Sequence, residues 1–198
     1  MIKHEDFTHN GVSAVSQAQF EAHYKLYRIY VDKVNEITQK LSSSESGAKS
    51  ANAVYSLYRG LKESESFALD GCILHELYFE NLGGETREPL EKTMKLIKRQ
   101  FGQMESFLED VTACCTAARG WCVFIYEHRT QTFRNILLDA HNVGNITLGH
   151  PLLVIDMYEH AYFLDYQTDK TKYIKAVLDD INWDVIERRV KYLFCEGK

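Results

Sequence analysis

Between Val15 and Leu41, apolar and aromatic side chains recur every three or four positions: Phe20, Tyr24, Tyr27, Tyr30 or Val31, Val34, Ile37 and Leu41. That spacing lines one face of a helix and predicts a long amphipathic one. A polar turn, SSSESGAKS at 42–50, separates it from ANAVYSLYRGLKES and FALDGCILHELYFENL, which read as further helical segments ending at Gly83 and Gly84. The first half is therefore a helical hairpin. GGETREPLEK reads as a linker, with Pro89 near the start of the next helix, where its fixed φ is tolerated.

The second half changes period. A single helix is predicted across EKTMKLIKRQFGQMESFLEDVTACCTAA, and past Gly120 the segments WCVFIYE, TFRNILL and PLLVID have strand composition, the first two joined by HRTQ as a hairpin. Helical patterns return in YIKAVLDDI and WDVIERRVKYLF. The order predicts an α+β protein: an N-terminal helical hairpin domain, residues 1–83, and a C-terminal domain, residues 84–198, with a three-stranded antiparallel sheet and flanking helices.

Composition narrows the function. With 198 residues and 45% hydrophobic side chains the chain can fill a core. A net charge of -5 supplies no basic surface for phosphate, so nucleic acid is not an expected partner. No run reaches the ~20 apolar residues of a membrane helix, and MIKHEDFTHN lacks the order of a secretory signal, so no membrane is expected and the protein is expected to be cytoplasmic. Cys72, Cys114, Cys115, Cys122 and Cys195 show no CxxC spacing and read as reduced, buried thiols. Cys114 and Cys115, as helix neighbours, are expected to face different ways.

The chemistry concentrates in DMYEHAYFLDY, where Asp156 and His160 stand among aromatics just after an apolar strand. A carboxylate and an imidazole in apolar surroundings need partners. His75, in LHELYFENL, has the same need, and His23 shares a helix face with Tyr30, seven residues on. Three imidazoles and one carboxylate suit iron or manganese. Each residue also has a plainer reading: His23 as a solvent-facing helix residue, and Asp156 as the N-cap of a following helix.

PLLVIDMYEHAYFLDYQ followed by NWDVIERR resembles the C-terminal signature of the iron/manganese superoxide dismutases. HYKLYRIYVDKVNEI, HELYFENLGG and RGWCVFIYE are similar, in order, to that family's first helix, second ligand region and glycine-tryptophan strand. The resemblance implies that His23, His75, Asp156 and His160 ligate one iron or manganese ion per subunit, iron being favoured, and that the substrate is superoxide. It implies catalytic roles for Tyr30 and His141 in a hydrogen-bond network around a solvent ligand, with walls from Trp121, Tyr158 and Phe79. Glu159 is implied to bridge to the ligand histidine of a neighbouring subunit in a homodimer, or in a tetramer built from such dimers.

Departures are visible. Only YKLYRI separates His23 from Tyr30, one residue fewer than in many members; Tyr158 replaces a usual tryptophan, and Phe163 a common interface tyrosine. Gly71 cannot supply the glutamine that often contacts the solvent ligand, and His141 stands at that glutamine's other usual place. Its imidazole is expected to donate or accept there with a pKa near neutrality. Lys25 and Arg188 or Arg189 are candidates for steering the anion. A non-haem iron oxygenase is disfavoured because its triad has one ligand fewer. The alternative reading is an inactive, dismutase-like interaction module.

Overall fold

A computed structural model describes residues 1–86 and 88–195. Arg87, in the expected linker, and residues 196–198 lie outside the described residues, as does the side chain of Cys195. The first helix, α1 (Gln17–Ser42), begins when the Ser16 side chain accepts from the Gln19 amide, and buries Phe20, His23, Tyr27, Val31, Val34 and Ile37 on the predicted face. It packs antiparallel to α2 (Leu57–Glu80).

The helical reading of residues 51–56 does not hold. Asn52 Oδ1 accepts from the amides of Val54 and Tyr55, an Asx-type turn, and the helix starts only after Ser56. The long helix expected after the linker is two helices, α3 (Glu91–Phe101) and α4 (Met104–Ala117). Between them Gly102 has φ +84°, a conformation that ends a right-handed helix and that glycine adopts without strain.

The sheet order is β2-β1-β3, all antiparallel, with β1 (Trp121–Glu127) in the centre, β2 (Thr132–Leu138) and β3 (Gly149–Asp156). Every residue of β1 is buried, which is why it reads as a continuous apolar run rather than an alternating one. Register places Trp121, the first residue of β1, beside Asp156, the last of β3. A short 3₁₀ turn (Glu159–Ala161) and α5 (Phe163–Tyr166) follow, then α6 (Lys170–Asp179) and α7 (Trp183–Cys195). The architecture is the predicted α+β one.

Two buried polar groups lock the halves together. Asp180 accepts from the amides of Ser13, Ala14 and Gly83 and from the Ser13 hydroxyl, joining the N-terminal segment, the end of the hairpin and α6. Arg189 donates to Asn81 Oδ1, the carbonyls of Leu152 and Leu77, and Glu80, so α7 is tied to the end of α2 and to β3. It is therefore not a steering residue: its guanidinium is buried and spent on structure. Arg188 is exposed and lies 3.8 Å from Glu80, and Lys25 is exposed on α1. Among the described residues, no helix is long and apolar enough to cross a membrane.

Candidate metal centre and its proton relay

Four elements meet at one point. α1 brings His23, α2 brings His75, the end of β3 brings Asp156 and the 3₁₀ turn brings His160. One ligand atom from each lies within 4.8 Å of all the others. Asp156 Oδ2 is the common point, 3.1 Å from Nε2 of both His23 and His160 and 3.7 Å from Nε2 of His75. Asp156 and His75 are fully buried and His23 almost so.

Asp156 is not a helix cap. Its Oδ1 accepts from the Tyr158 amide at 2.9 Å and its carbonyl accepts from Tyr173 Oη at 2.8 Å, which leaves Oδ2 aimed at the imidazoles. The turn carrying His160 is held by Gln19, whose amide donates to the His160 carbonyl and accepts from the Leu164 amide. Gln19 carries no sequence signal, because its role depends on a contact across 141 positions.

His75 decides what the cluster is built for. Its Nδ1 donates to the Gly71 carbonyl at 2.5 Å, so a neutral ring has a bare lone pair at Nε2. That atom is buried without a hydrogen-bond partner and points toward a carboxylate oxygen. Two electron-rich atoms facing each other in an apolar setting repel unless a cation lies between them. Nitrogen and oxygen donors in this ratio, with no sulfur, fit iron or manganese.

Burial is the main cause of the proton affinities here. It pushes His75 down to about 3, helped by the neighbouring His23, and lowers His23 as well, so both rings are neutral and free to ligate. For Asp156 burial acts the other way, but the His160 and His23 rings outweigh it and hold the carboxyl well below its ordinary range.

A second set of rings adjoins the four. Trp121 Nε1, which can only donate, lies 2.9 Å from His141 Nδ1, so a neutral His141 carries its proton on Nε2 and donates to Tyr30 Oη at 2.7 Å. Tyr30 Oη is then an acceptor toward His141, and its own proton is free to point elsewhere. Burial depresses His141 to about 4, so the expected titration near neutrality does not occur, and its two nitrogens are committed to Trp121 and Tyr30. Tyr30 is raised by burial and then by the charge of Asp156, and Tyr158 is raised to about 12 for the same two reasons.

Gly71 is where these rings press together. A Cβ there would sit 3.1 Å from both His141 and Tyr30, so the space a larger residue 71 would need is taken by the His141–Tyr30 pair. Phe79 lies 5.0 Å from His23, Trp121 5.0 Å from His75, and Tyr158 stacks on His160 at 5.2 Å between ring centroids. Phe67, which sequence reasoning missed, covers His141 at 4.5 Å. Its only signal is the spacing 67, 71, 75 on one face of α2.

Comparison with known proteins agrees with this geometry. Residues 89–189 match the family described as iron/manganese superoxide dismutases, C-terminal domain. The superoxide dismutase [Fe] of Aquifex aeolicus is 40% identical over 182 residues, 90% of this chain and 85% of that protein. The chain belongs to the iron/manganese superoxide dismutase family. The superoxide dismutase [Fe] of Methanothermobacter thermautotrophicus is 31% identical, covering 88% of this chain and 86% of its own. That of Aeropyrum pernix, superoxide dismutase [Mn/Fe], is 30% identical, covering 89% and 82%. The enzyme disproportionates superoxide to dioxygen and hydrogen peroxide with iron or manganese, iron being favoured.

The lowered histidines predict a pH dependence. Unfolded, these imidazoles titrate near 6.5; folded, His141 and His75 titrate near 4 and 3 and His23 is also lowered, so below about 6.5 the unfolded chain binds protons the folded one does not. The chelator-stripped dismutase should therefore lose stability as pH falls from about 6.5 toward 4. Urea midpoints that stay flat across that window would show that the rings are not held neutral.

Proposed function

We propose that His23, His75, Asp156 and His160 hold the single redox metal of this dismutase, and that Tyr30 and His141 govern its protons. The unpartnered, buried Nε2 of His75, facing Asp156 Oδ2, carries this reading. Bound there, iron or manganese supplies the alternating one-electron oxidation and reduction that turns two superoxide ions into dioxygen and peroxide. Asp156 supplies the negative charge that three neutral imidazoles lack, and Trp121, Phe79 and Tyr158 keep bulk water away.

Protonation needs a donor that is ready but uncharged. Tyr30, held protonated by burial, meets this requirement, and the His141 Nε2–H fixes its oxygen while leaving its proton free. A cleft of about 930 Å³ between α1 and α2 opens onto Tyr30 and Phe67, so a proton spent at Tyr30 Oη can be replaced from solvent. Lys33 and Lys40 line the same cleft but are both paired with Glu36, and with Glu63 the lining is electrically balanced, so this cleft offers no net charge to steer an anion. An inactive module would have no use for a complete ligand set backed by this relay.

We also infer a homodimer working in the cytoplasm, and two domains divided at residues 83 and 84. Glu159 is exposed beside His160, its side chain makes no hydrogen bond or ion pair among the described residues, and it is followed by exposed Phe163 and Leu164. A twofold-related copy would receive the Glu159 carboxylate at its own His160, whose side chain is 30% exposed, and the contact would be made twice.

Asp156→Ala should lower bound metal and activity together by about 100-fold or more, since it removes a ligand and the charge that offsets the cation. Full metal content by mass spectrometry with full activity would refute the assignment. Glu159→Ala should shift sedimentation toward monomer and loosen metal retention; an unchanged, fully metallated dimer would count against the bridge.

His141→Gln tests the relay. A glutamine can accept from Trp121 through Oε1 and donate to Tyr30, and it has a second N–H left over where His141 has none. The added donor should change the ratio of iron-supported to manganese-supported activity. If both activities and their pH profiles match wild type, His141 has no part in the tuning.

A further inference from the structure

The loop that carries His141 is held by side chains that take no part in the metal centre. It runs from Asp139 to Leu148 between β2 and β3, and Leu148 has φ +66°, a strained conformation for a leucine, so the loop does not keep this shape unaided. Its support is one stripe of α2, where Ser66 and Phe67 lie one turn from Asp70 and Gly71. Phe67 and Gly71 meet the His141 ring, while Ser66 and Asp70 meet the loop behind it.

Asn145 joins helix and loop. Its Nδ2 donates to Asp70 Oδ2 at 3.1 Å and to the His141 carbonyl at 3.3 Å. Both partners can only accept, so the amide must face them with its nitrogen, and its two hydrogens are both spent. Asn142 adds a second tie, its Nδ2 donating to Ser66 Oγ at 2.8 Å. Burial raises the Asp70 carboxyl above its ordinary range, and the Asn145 hydrogen bond opposes that rise. Behind the pair lies a cavity of about 200 Å³ in which Asp70 and Asn145 are the only polar side chains among the described lining residues. No other side chain there can take over either bond.

We propose that Asp70 and Asn145 are positioning residues that hold the His141 ring on Tyr30 Oη. The bracket fixes the backbone at His141 and Trp121 fixes Nδ1 of its ring, so the Nε2 hydrogen has one direction left, toward Tyr30. Once the His141 carbonyl is released, the ring can turn away from Trp121 and Tyr30, and the tyrosine proton loses its fixed orientation. The same turn of α2 orients His75 through the Gly71 carbonyl, so the ligand ring and the relay ring are set by one piece of backbone. The catalytic part of this proposal rests on the reading of His141 as the group that orients Tyr30.

The test uses the metal-loaded full chain in three variants, Asn145→Ala, Asp70→Ala and Asp70→Asn. Asn145 is exposed, so its truncation leaves the core intact. The loop amides of Asp139 and Val143, which donate to the carbonyls of Val143 and Ala140, should exchange about fivefold faster or more in Asn145→Ala and Asp70→Ala, the effect of a lost hydrogen bond. The Trp121 indole N–H, read by ultraviolet resonance Raman as the difference from Trp121→Phe, should show a weakened hydrogen bond in the same two variants. Their ratio of iron-supported to manganese-supported activity should also move away from wild type. Asp70→Asn keeps an oxygen acceptor and should keep the wild-type exchange and indole band; a change there as large as in Asp70→Ala would overturn the proposal. So would an unchanged indole band in Asn145→Ala. If His141→Gln leaves the activity ratio at its wild-type value, the relay reading fails, and the exchange and indole results decide the bracket without it.

Discussion

The carboxylate of Asp156 is an anion with no exposure to solvent, set at the end of the central apolar layer and faced by three imidazoles. Burying an isolated carboxylate costs several kcal/mol even after the surroundings relax. The Tyr158 amide meets part of that cost, and the His23 and His160 ring nitrogens, each 3.1 Å from Oδ2, stand where the iron or manganese we propose would offset the remaining charge. The fold brings these side chains together from parts of the chain 133 positions apart. Neither half has the site alone: the hairpin supplies two imidazoles, and the sheet and its following turn supply the third and the acid.

Such a site is only as well defined as the joints around it. Asp180 and Arg189 are the polar joints, and each spends its hydrogen bonds on backbone groups or side chains from at least two elements. Gln19 clamps the His160 turn, and Tyr173 holds the Asp156 carbonyl. Beside the ligands, the Trp121–His141–Tyr30 chain runs in one direction because its first member can only donate. That single constraint fixes a tautomer and leaves the tyrosine proton available.

Much of this was legible in the sequence because it is periodic or local. The face of α1 that carries Phe20, His23 and Tyr27 follows from helical spacing, and the strands follow from runs of β-branched and aromatic residues. The approach of His23 and His75 to Asp156 was not readable from spacing; it came from resemblance to a family, to which the comparisons also assign the chain. What escaped was either conformational or long-range. Gly102 looked like a tolerated residue in one helix until its left-handed φ broke it in two. Arg189 looked like a surface charge, and Phe67 carried no assignment, because nothing local records what lies across from them. The Asn145 bracket was invisible for the same reason, since Asn145 meets Asp70 across 75 positions.

The atoms around the metal are what distinguish this site from any other. X-ray absorption on the iron-loaded enzyme reads those atoms directly, since imidazole rings give a characteristic multiple-scattering pattern and sulfur is distinguished from nitrogen and oxygen. The structure predicts three imidazoles and a nitrogen and oxygen shell free of sulfur. A shell containing thiolate, or one with fewer than two imidazoles, would contradict it.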